Sequence, residues 1–274
     1  MQLKRIVIGV DLTNPSTDAA KWVANAFAPE AELVLLHCLN PLLVERRVPD
    51  VRARAESSLD ELRLMVGMQR SSYRIRIGDP ARCLADLAGE VDADLIAVGA
   101  HEEHPDRLPA LGSTAERLVR CSPVPVLLCS ATPSGAPRSV LLPVDSVDVT
   151  TELATWTGSL AEQFGARLAL VHIEGTRDRD LPSGVAHERP GVSTTTWSRV
   201  ARELPPHRVF VDAVLGERAD AVLSEARRFH TELVLLQAPD DRQADEATDR
   251  VLRESECPVL VIPSADNARL MDTR

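Results

Sequence analysis

The sequence predicts an α/β protein built as two tandem open parallel five-stranded sheets with helices on both faces. Three observations carry that expectation. Short aliphatic runs alternate with amphipathic helical patterns, the alternation is completed twice, and the two passes match each other in order and spacing.

In the first pass, strands are expected at Arg5–Val10, Glu32–Cys38, Tyr73–Ile77, Asp94–Val98 and Val124–Cys129. These runs are continuously aliphatic rather than alternating, which is the pattern of parallel strands buried on both faces. Aromatic residues make up only 3% of the chain, so the core must be built from Val, Leu, Ile and Ala. Between the strands, Ala19, Ala20, Val23, Ala24 and Phe27 recur at helical spacing and mark one buried face. Ala55, Leu59, Leu62 and Val66 mark a second, and Cys83, Leu84, Leu87, Ala88 and Val91 a third. Ser113–Arg120 reads as a shorter fourth helix.

The second pass repeats the first. IVIGVD (Ile6–Asp11) returns as VLLPVD (Val140–Asp145), so that Asp145 stands 134 positions after Asp11, and Trp156 stands at the same displacement from Trp22. LVLLHC (Leu33–Cys38) pairs with LALVHI (Leu168–Ile173), and both carry a histidine at the same place. For His37 and His172 a packing or hydrogen-bonding role is expected. Ile77–Ala100 lines up with Leu215–Ala238, and Pro125–Leu128 with Pro258–Val261. Matches in one order at nearly constant displacement indicate a duplication. The joint is the segment SATPSGAP (Ser130–Pro137), whose Pro, Gly and Ser content reads as a linker. This divides the chain into an N-terminal domain over 1–130 and a C-terminal domain over 138–265. A long polar insert, Glu174–Val192, has loop character.

Lys plus Arg total 31 against 41 Asp plus Glu, a net charge of −10. Such a surface repels nucleic-acid phosphates, and the scarcity of aromatics removes stacking platforms, so no nucleic-acid partner is expected. No basic or long apolar segment suits a membrane, and Met1–Arg5 leads straight into a strand-like run. The five cysteines include no C-x-x-C pair and mostly lie in apolar runs, which fits reduced core thiols in a cytoplasmic protein.

Open parallel sheets bind ligands beyond the carboxyl ends of their strands, where the strand order reverses. Asp11 and Gly99 end two such strands, and Gly112-Ser113-Thr114 opens a helix. Glycine lets a ligand approach the backbone, and a helix start presents unpaired N–H groups to an anion. The same residues also fit an ordinary loop in which Ser113 or Thr114 caps the helix. No phosphate-binding G-x-x-x-x-G-K-[ST], no G-x-G-x-x-G after the first strand and no G-x-S-x-G elbow occurs. His101 and His104 flank two glutamates but lack a full ligand set, so no metal site is expected. No nucleophile sits beside a base, so no catalytic residue and no enzyme activity are expected.

At these residues the chain resembles the universal stress protein family in its tandem two-domain form, from about Leu3 to Pro263. The resemblance rests on Asp11 and Asp145, the LLH-type second strand, the segment Gly78–Pro80 and above all VGA…GSTAERLVRCSPVPVLL (Val98–Leu128). It implies an adenine nucleotide alpha hydrolase-like fold with strand order 3-2-1-4-5 in each half. The fifth strands would then face each other across a pseudo-twofold, with homodimers of whole chains as a further level of assembly. ATP-binding members show Gly, two residues, Gly, nine residues, then Gly followed by Ser or Thr. Here Gly99, Gly112 and Ser113 keep the outer positions, while Glu102 replaces the middle glycine. With Glu103 beside it, Glu102 would repel a triphosphate by ~1 kcal/mol per pair of like charges, unless magnesium, Arg107 or Arg117 offsets it.

In the second half Gln237 stands where the first glycine belongs, and Ala238–Asp249 holds no glycine. Gln237 to Pro258 spans 21 positions against 26 from Gly99 to Pro125. The resemblance therefore implies a stress-response regulatory or binding protein that holds ATP, with magnesium, in the N-terminal half only. Asp11 would contact the adenosine moiety, the backbone at Cys38 the base, and Gly99, Gly112, Ser113 and Thr114 the phosphates. Two other readings stay open: a nucleotide-free tandem protein acting through protein–protein contacts, and an ATP hydrolase, for which no base or nucleophile is at hand.

Overall fold

The computed structural model describes residues 3–42, 50–100, 111–144, 151–174, 209–238 and 246–263. The first half runs β1 (Arg5–Gly9), α1 (Asn14–Trp22), β2 (Glu32–Leu39), α2 (Val51–Val66), β3 (Ser71–Ile77), α3 (Pro80–Glu90), β4 (Leu95–Gly99), α4 (Ser113–Cys121) and β5 (Val126–Cys129). The second runs β6 (Ser139–Val144), α5 (Thr151–Phe164), β7 (Arg167–Glu174), β8 (Val209–Leu215), α6 (Arg218–Arg228), β9 (Leu233–Gln237), α7 (Glu246–Glu254) and β10 (Val259–Ile262). The polar insert of the second half falls outside the described residues, apart from Glu174 at its start.

The strands lie in the order β3-β2-β1-β4-β5-β10-β9-β6-β7-β8. Each half therefore has the expected order 3-2-1-4-5, and within each half the pairing is parallel. The structure departs from two separate sheets in one respect. β5 and β10 pair antiparallel, with Leu127 opposite Leu260, so the halves form one ten-stranded sheet. The reason is physical: both strands are wholly buried aliphatic runs, and an uncovered edge of that kind presents unpaired N–H and C=O groups that the other half satisfies. The Ser130 hydroxyl adds a bond to the Cys257 carbonyl at 2.6 Å beside the seam.

Alternate residues of each strand feed opposite faces. On one face Ile6 and Ile8 pack with α1, α2 and α5 in a core that runs through both halves. On the other, Val7 packs with α3, α4, α6 and α7 in a second core that also crosses the seam. The first two expected helical faces are buried, with Ala55, Leu59, Leu62 and Val66 the buried residues of α2. On the third, Leu84, Leu87 and Ala88 are buried while Cys83 and Val91 are only partly so. One local surprise is that α1 does not continue regularly through Phe27. Val23–Phe27 forms a wider π-type turn, which sets the Phe27 ring 5.3 Å from both Trp22 and Phe164. Trp22 Nε1 also donates to the carbonyl of Gly135 in the linker at 3.0 Å, and Gln163 Nε2 to the carbonyl of Phe27 at 3.1 Å.

The duplication is legible in hydrogen bonds as well as in topology. Asp94 accepts from the N–H of Lys4 at 2.6 Å, and its counterpart Glu232 accepts from the N–H of Arg138 at 2.7 Å. Ser122 and Ser255 each donate to the carbonyl two residues ahead. Asp79 caps α3 and pairs with Arg117 of α4, while Glu217 caps α6 and pairs with Arg250 of α7. Trp22 and Trp156 are both 5% exposed.

Because both cores and the sheet cross the seam, the halves are expected to unfold together. Phe27 is fully buried, and Phe27→Ala is expected to lower stability by about 3–5 kcal/mol. Denaturant unfolding followed by tryptophan fluorescence and by far-ultraviolet circular dichroism should remain one coincident transition. Two separated transitions would contradict the shared core.

Candidate functional site

A cleft of about 120 Å³ opens at the carboxyl ends of β1 and β4, the two strands between which the chain changes direction across the sheet. Gly9, Val10, Asp11, Thr13 and Ser16 line it from β1 and the start of α1. Leu36 and Cys38 come from β2, Pro80 and Leu84 from α3, Val98 and Gly99 from β4, and Thr114 from α4.

The β1–α1 turn aims Asp11. Leu12 takes a left-handed conformation, φ 69°, unusual for a residue with a branched side chain. The turn is held by Asp11 Oδ1, which accepts from the Thr13 N–H at 3.0 Å and from the Thr13 hydroxyl at 2.6 Å. Burial pushes the Asp11 carboxyl up, but hydrogen bonds from Ser16 and Thr13 outweigh it, so its pKa lies below the usual 3.8. The carboxylate is thus ionised at neutral pH. His37 Nδ1 donates to the Val10 carbonyl at 2.8 Å, bracing β2 against the end of β1, and His172 is buried in β7. Both agree with the structural role expected for them.

Two glycines of the cleft serve different purposes. A Cβ on Gly9 would stand 2.9 Å from side-chain carbons of Leu84 and Val98, so glycine there lets α3 approach the sheet. A Cβ on Gly99 would meet only the Ser16 backbone at 3.8 Å, an ordinary contact. Packing therefore does not require glycine at position 99, and its bare backbone leaves room at the cleft. Gly78 has φ +137°, which does require glycine; Asp79 then caps α3 through the Arg82 N–H at 3.0 Å, and Pro80 takes the first helical position.

Of the six site residues read from the sequence, Asp11, Cys38, Gly99 and Thr114 line the cleft together. Gly112 and Ser113 do not line it. Gly112 is the N-cap of α4 and donates to the Ala100 carbonyl at 2.9 Å, joining the two ends of the loop between them. Ser113 and Thr114 follow the cap as the first helical residues, so neither occupies the capping position that an ordinary loop reading gave them. Glu102, Glu103, His101, His104 and Arg107 lie outside the described residues. Arg117 is committed to an ion pair with Asp79. Thr13 and Ser16 were missed by the sequence reading, although an Asp followed two residues later by Thr is a recognised side-chain-to-backbone turn signal.

The second half has lost the same features at matching places. Pro143 stands for Gly9 and Gln237 for Gly99; Asp145, the counterpart of Asp11, lies outside the described residues. Pro143 is tolerated inside the sheet because β9 pairs β6 only at Val140 and Leu141, leaving no bond there for a proline N–H to make.

A model of the universal stress protein family matches residues 2–130 and again 137–263. The chain belongs to the universal stress protein family. Along nearly its whole length it is similar to a universal stress protein of Mycobacterium tuberculosis, 24% identical over 271 residues that cover 94% of this chain and 95% of that one. Among solved structures it is similar to a universal stress protein from Archaeoglobus fulgidus, with TM-score 0.71 and 17% identity, covering 96% and 99% of the two chains. A putative universal stress protein from Pseudomonas aeruginosa gives TM-score 0.68 at 15% identity, covering 98% and 96%. These structural likenesses concern the fold. Among the described residues, no helix is long and apolar enough to cross a membrane, and no cluster of three or more His, Cys, Asp or Glu could hold a metal ion.

Two measurements separate packing from site. Gly9→Ala is expected to destabilise the protein by about 1–3 kcal/mol, whereas Gly99→Ala should melt within a degree or two of the unchanged protein. Equal losses for both would contradict the assignment. For Asp11, a pKa lowered in the folded state contributes stability above 3.8 that is lost as pH falls through the folded value. Acid titration of Asp11→Asn should therefore show a shallower loss of stability below 3.8 than the unchanged protein.

Proposed function

We propose that this member of the family is a stress-response binding protein whose N-terminal cleft holds an adenine nucleotide, ATP with its magnesium, and whose C-terminal half does not. The observation that carries the reading is the convergence on one cleft of an ionised aspartate held by Thr13, a glycine that packing does not require, and the start of α4 at Thr114. Asp11 would take the adenosine moiety, the Cys38 backbone the base, and Gly99 and Thr114 the phosphates, with Gly112 and Ser113 setting the start of α4. A helix start favours anions through its unpaired N–H groups and its dipole. The second half carries a ring and an amide where these glycines stand, and its sequence Ala238–Asp249 is acidic.

The role in this reading is binding and regulation, which suits a cleft lined mostly by backbone and apolar side chains around a single carboxylate. Residence in the cytoplasm accords with the free thiols of all five cysteines. A dimer of whole chains must use a surface other than β5 and β10, which are paired within the chain. One observation favours a second reading, in which the protein acts without nucleotide through protein contacts: Glu102 at the family's middle glycine.

Thermal shift decides between them. Millimolar magnesium-ATP is expected to raise the melting temperature, since a ligand at a hundred times its Kd adds about 2.7 kcal/mol of stability. Asp11→Ala should abolish the shift, Gln237→Gly should leave it unchanged, and Glu102→Gly should strengthen affinity about fivefold, the equivalent of ~1 kcal/mol of relieved repulsion. A melting temperature that magnesium-ATP leaves unmoved would remove the nucleotide reading in favour of the second.

A further inference from the structure

The five cysteines fall into distinct environments. Cys129 and Cys257 are buried, and burial pushes their thiols up to about 12 and about 11. Cys121 is exposed at the end of α4. Cys38 and Cys83 are both half-buried, and both pack against the same core cluster.

Cys38 and Cys83 are brought together by the register of β2 and β3 and by the start of α3. Leu39, next to Cys38, pairs with Ile77, and Gly78 donates its N–H to the Leu39 carbonyl at 3.4 Å. The turn through Gly78 and Asp79 then starts α3, whose Cys83 Sγ lies 3.7 Å from where a Gly78 Cβ would stand. Cys38 forms part of the cleft lining alongside Pro80 and Leu84, the residues of α3 that flank Cys83 in sequence. Burial first, and then the neighbouring Cys83, push the Cys38 thiol up to about 12.

We propose that Cys38, which lines the cleft, and the neighbouring Cys83 form a dithiol site that a small peroxide entering the cleft oxidises to an intramolecular disulfide. The step balances as two thiols and one hydrogen peroxide giving one disulfide and two waters. One sulfur attacks the peroxide O–O bond and becomes a sulfenic acid, releasing the first water. The other sulfur displaces the second water and closes the S–S bond. Hydrogen peroxide is small enough to reach a half-buried thiol through the cleft, whereas Cys129 is wholly buried. With Cys38 held largely as the thiol, the reaction is slow, and a deliberate excess of peroxide is needed to complete it. The product ties β2 to the first turn of α3. The proposal does not depend on nucleotide binding, because it concerns only the two sulfurs and their access to a peroxide.

The test uses the full chain with Cys121→Ser, which removes the exposed thiol as a source of links between molecules. Treatment with excess hydrogen peroxide is expected to lower the denatured thiol titre from four to two, with the mass loss of two hydrogens. Non-reducing peptide mapping should find the Cys38 peptide joined to the Cys83 peptide, and dithiothreitol should restore both thiols. Adding Cys38→Ser or Cys83→Ser should each abolish the link. Mapping of the otherwise native chain keeps the test decisive if a serine variant folds poorly. Peptides that retain both free thiols, that carry sulfinic acid at Cys38 without a link, or that join either cysteine to a different one would overturn the proposal.

Discussion

The seam between β5 and β10 is the constraint on which the rest of the structure depends. Each is a four-residue aliphatic strand buried along its whole length, and each would be an exposed, aggregation-prone edge in a half standing alone. Pairing them antiparallel does three things at once. It satisfies both rows of backbone groups, joins two five-stranded sheets into one, and makes each face of that sheet a single core shared by both halves. The aromatic contacts of Trp22, Phe27 and Phe164, together with the tryptophan bond to Gly135, hold the same junction from one face.

A shared scaffold leaves each half's ligand end free to diverge, because the strand tips beyond the sheet contribute little to the seam. In the first half the tips keep Gly9, Asp11 and Gly99 around an open cleft. In the second, Pro143 and Gln237 occupy the corresponding places, while the capping acid, its arginine partner and the strand-start carboxylate survive. What duplication preserved is therefore what holds helices to the sheet, and what it lost is what keeps backbone bare at the strand ends.

Much of this was legible in the sequence because it is local. Continuous aliphatic runs gave the first-half strands to within about two residues at either end, and the spacing of Ala55, Leu59, Leu62 and Val66 named the buried face of α2. Asp11 and Gly99 were found because they end strands at the switch in strand order. Features set by long-range packing were hidden. Val126–Cys129 reads like any other buried strand in composition, so its place opposite Val259–Ile262 came from the family resemblance. That the two pair into one continuous sheet was not legible in its residues. Val23–Phe27 keeps helical spacing although its turn is widened, since periodicity does not register one extra residue in a turn. The left-handed Leu12 has no glycine or asparagine to announce it, being imposed by the Asp11–Thr13 hydrogen bonds. Cys38 and Cys83 meet only because β2, β3 and α3 fold back on one another.

Amide hydrogen exchange at the seam tests the central claim most directly. If one sheet runs through both halves, the backbone N–H groups of Val126–Cys129 and Val259–Ile262 should exchange only through global unfolding, as slowly as those of the central strand β1. Exchange at these amides within minutes, while β1 stays protected, would mean that β5 and β10 are free edges and that the two halves are separate sheets.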